Sequence, residues 1–243
     1  MTNFELVSFA SDEELAQAVA GKWLQDLQAA AGGGAAYCVA LSGGRIARRF
    51  FAATATLAQA QRLALNAVHF FWGDERCVPP TDPESNFGLA RELLLAPLAV
   101  PERQVHRVRG EAAPEVAARE AASELCRIAP RDPDGQPVLD LIFLGMGEDG
   151  HVASLFPGES EELMSSNAVY RSVIAAKPPP HRITIGYLAI GAARQVWVLA
   201  SGAGKEAALR ASLAAGGQTP LARVLKLRAH TRIFTDVRLK GSC

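Results

Sequence analysis

The chain has 243 residues, 49% hydrophobic and 21% charged, which supplies a full core and excludes a disordered or fibrous class. Its 25 basic and 25 acidic residues cancel, so there is no nucleic-acid footprint; the cluster Arg45, Arg48 and Arg49 reads as helix surface or a small anion site. No apolar run approaches the ~20 residues that span a bilayer, the acidic N-terminus lacks a signal-peptide pattern, and Cys38, Cys77, Cys126 and Cys243 form neither a disulfide framework nor a zinc spacing, so the expectation is a cytoplasmic protein with no membrane partner.

Residues 11–31 have helical apolar spacing, with Ser11 as N-cap and Glu14 completing a capping box, and "AGGG" ends the helix. "AAYCVAL" (35–41) is a continuous apolar run, read as a buried parallel strand in which Cys38 is a small hydrophobe. "SGG" follows, then a helix over 46–65 and a strand "AVHFFWG" over 67–73. "DERCVPPTDPESN" reads as a long, proline-rich polar loop before a helix over 87–95. A helix over 115–128 and the turn-dense "PRDPDGQP" precede the strand "LDLIFLG". "RITIGYL" and "RQVWVLA" are strands, "GAGKEAALRASL" starts a helix, and "TRIFTD" is a late strand. With no internal repeat or low-complexity linker, this alternation predicts a single α/β domain over residues 1–243, a mostly parallel sheet flanked by helices on both faces.

In such sheets ligands bind outside the carboxyl ends of the strands. "SGG", "GDER", "GMGEDGH" and "SGAGK" each follow a predicted strand and so are expected to gather at one edge. "GMGEDGHVASLFPG" contains a G-x-G-x-x-G, Gly145, Gly147 and Gly150, the pattern of a dinucleotide loop. Three features oppose that reading. Pro157-Gly158 leaves no room for the full helix, no acid follows for the ribose, and Glu148 and Asp149 stand where a pyrophosphate would lie. The glycines instead read as shaping a turn that presents Asp149 and His151. His is the side chain suited to proton transfer near neutral pH, and a neighbouring carboxylate can fix its tautomer, provided that the turn bends back.

The chain lacks a G-x-S-x-G elbow around Ser154 and a second metal-ligand cluster, so water is the expected nucleophile and no metal is expected. Arg76 is placed to bind an anion or a developing oxyanion, and Asp74 to orient it or to contact substrate hydroxyls. Backbone amides after "SGG" suit a phosphate. Lys205 near a helix N-terminus is unfavourable against the dipole unless an anion joins it; a phosphate held by Ser42, Gly43, Gly44, Arg182 and Lys205 explains its place, and a solvated surface lysine is the alternative.

"LSGG", "WGDERCVPPTDPESN", "LGMGEDGHVASLFPG", "RITI" and "GAGKEAAL" together resemble the 6-phosphogluconolactonases, in order and rough spacing, over nearly the whole chain. The resemblance implies a Rossmann-like α/β sandwich similar to glucosamine-6-phosphate deaminase/isomerase. It implies hydrolysis of 6-phospho-D-glucono-1,5-lactone in the oxidative pentose phosphate pathway, without a cofactor. It implies His151 as general base, Asp149 as its support, Arg76 near the lactone or phosphate with Asp74 beside it, and a sugar-phosphate lactone as small-molecule partner of a monomer or small homo-oligomer. Two positions bear on this. The deaminases carry F-N-E-P after D-G-H, and here Phe156 takes the Glu position, which favours the lactonase. The family's S-G-G-S-T-P reads "SGGRIA" here, so Arg45 either replaces the lost hydroxyl donors at the phosphate or faces solvent. An amino-sugar-phosphate deaminase/isomerase and a non-catalytic sugar-phosphate binder are the alternatives.

Overall fold

The computed structural model describes residues 3–30 and 36–239. A strand β1 (Phe4–Ser8) precedes helix α1 (Asp12–Ala30). The Ser11 hydroxyl accepts the Glu14 amide at 3.2 Å, and the Glu14 carboxylate reaches back to the Ala10 amide at 3.1 Å, so the capping box forms one residue wider than usual. The expected "AGGG" terminus and Cys243 lie outside the described residues. Then come β2 (Tyr37–Leu41), α2 (Arg45–Ala60), β3 (Val68–Trp72), β4 (Asp74–Arg76) and α3 (Asn86–Ala90). A π-helical turn Arg91–Leu95 continues α3, and α4 (Pro114–Ile128) follows. The second half is β5 (Leu141–Gly145), α5 (Glu161–Met164), β6 (Tyr170–Ile174), β7 (His181–Ile185), α6 (Tyr187–Ala192), β8 (Gln195–Ala200), α7 (Glu206–Leu213), α8 (Pro220–Leu227) and β9 (Thr231–Thr235).

Six strands form the main sheet in the order β1-β9-β8-β5-β2-β3, every registered pair parallel. The runs in β2, β5 and β8 are buried at nearly every position, because helices cover both faces and alternation has no purpose. From β2 the chain moves to β3 on one side, while β5 and β8 lie on the other. The β2/β5 boundary is therefore the topological switch point, the crevice where open α/β sheets take ligands.

Three expectations change. "DERCVPPTDPESN" is not loop throughout, since its first three residues form β4. β7 is not part of the parallel sheet: β4-β7-β6 make a second, antiparallel sheet. The strand expected over "RITIGYL" stops at Ile185, and Tyr187 and Leu188 begin α6. The small sheet is joined to the large one through Gly73, whose amide donates to Leu41 and whose carbonyl accepts from Ile185, and through the Tyr170 hydroxyl, which donates to the Trp72 carbonyl at 2.7 Å. Among the described residues no helix is long and apolar enough to cross a membrane.

The stripe Leu15, Val19, Trp23, Leu27 lays α1 on the main sheet. Trp23 is fully buried against Phe50 of α2, Phe70 of β3 and Phe143 of β5, at centroid distances of 5.7, 6.4 and 5.2 Å. Phe143 continues the contact to Trp197 and Trp197 to Phe234, an aromatic line running across the strands. Truncating Trp23 removes the ring that three elements share. Trp23→Ala is expected to lower the unfolding free energy by about 3–5 kcal/mol, read by urea denaturation; a loss under ~1 kcal/mol would mean that the cluster closes without it.

Candidate active site

Three loops at the carboxyl edge of the main sheet and two strands of the small sheet line a single pocket. Ser42, Gly43, Gly44 and Arg45 come from the β2–α2 turn, Asp74 and Arg76 from β4, and Met146, His151 and Ala153 from the loop after β5. Arg182 comes from β7 and Lys205 from the turn after β8. The expected side chains thus meet, except Asp149, which lines an adjoining cavity with His151, and Asn86 joins them as an unanticipated member.

The turn after β5 does bend back. His151 Nδ1 lies 2.6 Å from Asp149 Oδ1, and the same oxygen accepts the His151 amide at 3.1 Å. Partial burial pushes the Asp149 carboxyl up, but the amide bond, the facing ring charge and the ring hydrogen bond outweigh it and hold the group below the usual carboxylate range. An ionised carboxylate only accepts, so Nδ1 carries the proton and the Nε2 lone pair is left as the basic atom. Phe156 packs on the imidazole at 4.9 Å between centroids.

Two of the three loop glycines are required by this geometry. A Cβ on Gly147 would overlap the His151 ring and Asp149 Oδ1. Gly150 has φ +83° and lies against the Thr219 side chain. At Gly145 a Cβ would meet only ordinary contacts, 3.7 Å from the Gly43 carbonyl, so sterics do not demand glycine there.

β4 is built on buried carboxylates. Glu75 accepts the amides of Arg76, Asn86 and Phe87 and the Ser85 hydroxyl at 2.7–3.1 Å; burial pushes its carboxyl up to about 7 against the pull of those amides. It is a bracket for the segment from 75 to 87, and its side chain does not line the pocket. Asp74 accepts the Ser154 hydroxyl at 2.8 Å and the Asn86 side-chain amide at 3.2 Å. Asn86 in turn lies so close over Gly43 that any Cβ there would overlap its Oδ1. Asn86 and Ser154 were not legible as site residues, because each is a lone polar residue whose importance comes from a partner far along the chain.

The cations fall into two pairs. Arg76 and Arg182 are directly opposite in the β4–β7 register, where like charges repel. Arg182 is 8% exposed and donates only to the carbonyls of Lys177 and Pro179; Arg76 meets Glu84 through Nη1, while its buried Nε has no partner among the described residues. The other pair is Arg45 and Lys205. Arg45 Nη2 reaches the Ser201 carbonyl at 3.4 Å and lies over Gly202. Lys205 stands at the N-cap of α7, and its ammonium is pushed down by burial and then by Arg45, only partly offset by Asp236 and Glu148. Gly44 caps α2 without a side-chain partner, and the first intrahelical bond is Arg48 N to Gly44 O. The amides before it at the helix start therefore point toward the Arg45–Lys205 end. The Ser42 hydroxyl accepts the Gly145 amide at 3.4 Å, tying β2's loop to β5.

Such a site can deprotonate a water and receive anionic groups at either end. The family described as "Glucosamine-6-phosphate isomerases/6-phosphogluconolactonase" matches residues 10–234. A 6-phosphogluconolactonase of Mycobacterium tuberculosis is 41% identical over 168 residues, 68% of this chain and 67% of that one. One from Streptomyces coelicolor is 33% identical over 220 residues, 88% and 84% of the two chains. The solved 6-phosphogluconolactonase of Trypanosoma brucei superposes with TM-score 0.84 at 29% identity, over 96% of each chain. A monomeric glucosamine-6-phosphate deaminase superposes with TM-score 0.81 at 18% identity, over 97% of this chain and 98% of that one, a likeness of fold.

The two glycines on either side of Met146 give a direct check of the turn. Nitrogen-15 NMR is expected to find the wild-type His151 proton on Nδ1, and Gly145→Ala to keep it there. Gly147→Ala is expected to lose that single tautomer because the ring must move; an unchanged spectrum would show that the pair tolerates a Cβ.

Proposed function

Since the chain belongs to the glucosamine-6-phosphate isomerase/6-phosphogluconolactonase family, we propose that it hydrolyses 6-phospho-D-glucono-1,5-lactone to 6-phospho-D-gluconate by water attack with His151 as general base. The observation that carries this reading is the Asp149–His151 bond, which fixes the tautomer that leaves Nε2 free beside the pocket. A δ-lactone is an activated ester, so its hydrolysis needs a base, an oxyanion partner and orientation, and no redox or metal chemistry.

Nε2 takes a proton from water as the water oxygen bonds to the lactone carbonyl carbon. The imidazolium is stabilised by Asp149. The tetrahedral oxyanion is met by the Arg76 guanidinium, which lines the pocket together with His151. When the carbonyl re-forms, the ring C–O bond breaks and the leaving oxygen takes the proton from Nε2, restoring the neutral base, and the new carboxyl group gives its own proton to solvent. Asp74, held by Ser154 and Asn86, orients the sugar end of the pocket. The phosphate, remote from the reacting carbon, is assigned to the α2 N-terminus with Ser42, Gly43, Gly44, Arg45 and Lys205, where it supplies binding energy for orientation.

One assignment moves. Arg182 was expected among the phosphate ligands, but it is registered against Arg76 and lies over the Phe156 ring that packs on His151, which favours the reacting end. Phe156 also bears on the alternative deaminase/isomerase chemistry, since the side chain against the imidazole is apolar where those enzymes carry an acid.

The test is a coupled assay in which the lactone is generated in situ and 6-phosphogluconate is followed through its dehydrogenase. His151→Ala is expected to lose about 10²–10⁴ in kcat; a rate equal to wild type would sink the base assignment. Lys205→Ala should reduce the preference for phosphorylated over unphosphorylated lactone by about tenfold or more, a charged hydrogen bond being involved. An unchanged preference would move the phosphate elsewhere.

A further inference from the structure

The four pocket cations are not one cluster. Burial and then Arg45 push the Lys205 ammonium down, and burial and then Arg76, directly opposite in the β4–β7 register, push Arg182 down. Their surroundings also differ. Arg182 and His151 together line a second, adjoining cavity that Arg45 and Lys205 do not reach. Arg182 therefore stands at the His151 end, with Arg76 opposite it in the β4–β7 register although outside the second cavity, and the Arg45–Lys205 pair stands at the α2 end. Against these cations the pocket lining offers a single carboxylate, Asp74, already engaged by Ser154 and Asn86.

We propose that the pocket is built to hold two anions at once, a phosphate between Arg45 and Lys205 and a carboxylate between Arg76 and Arg182, so that the opened acid phosphate binds better than the lactone. This rests on the lactonase reading and deepens it. The lactone brings one anionic group, the phosphate, and leaves the Arg76–Arg182 pair with no anion between them. Hydrolysis creates a second anion at the carbon next to His151. That carboxylate separates two guanidiniums that otherwise repel across β4 and β7. The same pair that meets the oxyanion in the transition state then retains the product, so release of the acid phosphate limits turnover, and acid phosphates of this length inhibit.

Calorimetric titration of the full chain at neutral pH with 6-phosphogluconate and with glucitol 6-phosphate, which has the same phosphate and carbon chain without the carboxylate, tests the proposal with wild type alone. The acid is expected to bind about tenfold or more tightly. Arg182→Met should erase that difference, with Arg76→Gln as a second variant should Arg182→Met fail to fold. Lys205→Met should weaken both ligands alike. Equal wild-type affinities would overturn the two-anion site; lactone turnover retained in the same preparation would show that the lactonase reading survives. Loss of both binding and turnover would overturn the two together.

Discussion

Asp74 shows 4% of its surface, and the site hangs on the way its carboxylate is satisfied. Its oxygens take the Ser154 hydroxyl from the loop after β5 and the Asn86 amide from the start of α3, while its strand registers with Thr184 of β7, whose hydroxyl accepts the Ser154 amide. Asn86 closes the ring by packing over Gly43. A buried carboxylate is tolerated only when its donors are all present, because each missing partner leaves a desolvation cost uncompensated. The loops after β2, β3 and β5 are therefore interdependent: none can shift without exposing an unmet charge in the others.

That rigidity is what allows the pocket to keep repelling charges in place. Guanidiniums directly opposite on neighbouring strands, and a lysine pointed at an arginine at a helix start, are arrangements that a folding chain has no reason to adopt for stability. They are held because the scaffold beneath them is independently satisfied, by Glu75 and its amides under β4 and by Asp236 under the β8 turn, where it accepts the Ser201 hydroxyl and the Gly202 amide. The repulsion is offset only when an anion enters, which converts folding energy stored in the frame into affinity for the ligand.

The main sheet and the convergence of its loops were legible because continuous apolar runs such as "LIFLG" end abruptly in glycine and charge, a pattern with one structural meaning at a covered parallel sheet. The small sheet was not. Its β4 is three residues long and reads D-E-R, which looks like solvated turn, yet Asp74 and Glu75 are buried because amides and hydroxyls distant in sequence come to meet them. β6 is half-buried and sits between polar segments, with an exposed end at Ile174, so no period marks it. The Asp149–His151 pair was legible as a candidate, but its closure was not, for a different reason: residues two apart face each other only if the turn closes, and closure depends on the bare backbone of Gly147, which the spacing of glycines alone does not distinguish from Gly145.

The contact of Arg45 with Gly202 ties together two positions 157 apart in the chain. A side chain at 202 would overlap the guanidinium, and a φ of +107° already disfavours one. Changes at the two sites are thus epistatic. The steric constraint is the softer of the two, because the guanidinium is the far end of a flexible chain, whereas the backbone angle disfavours a side chain at 202 whatever stands at 45. Shortening position 45 thus relaxes position 202 without freeing it.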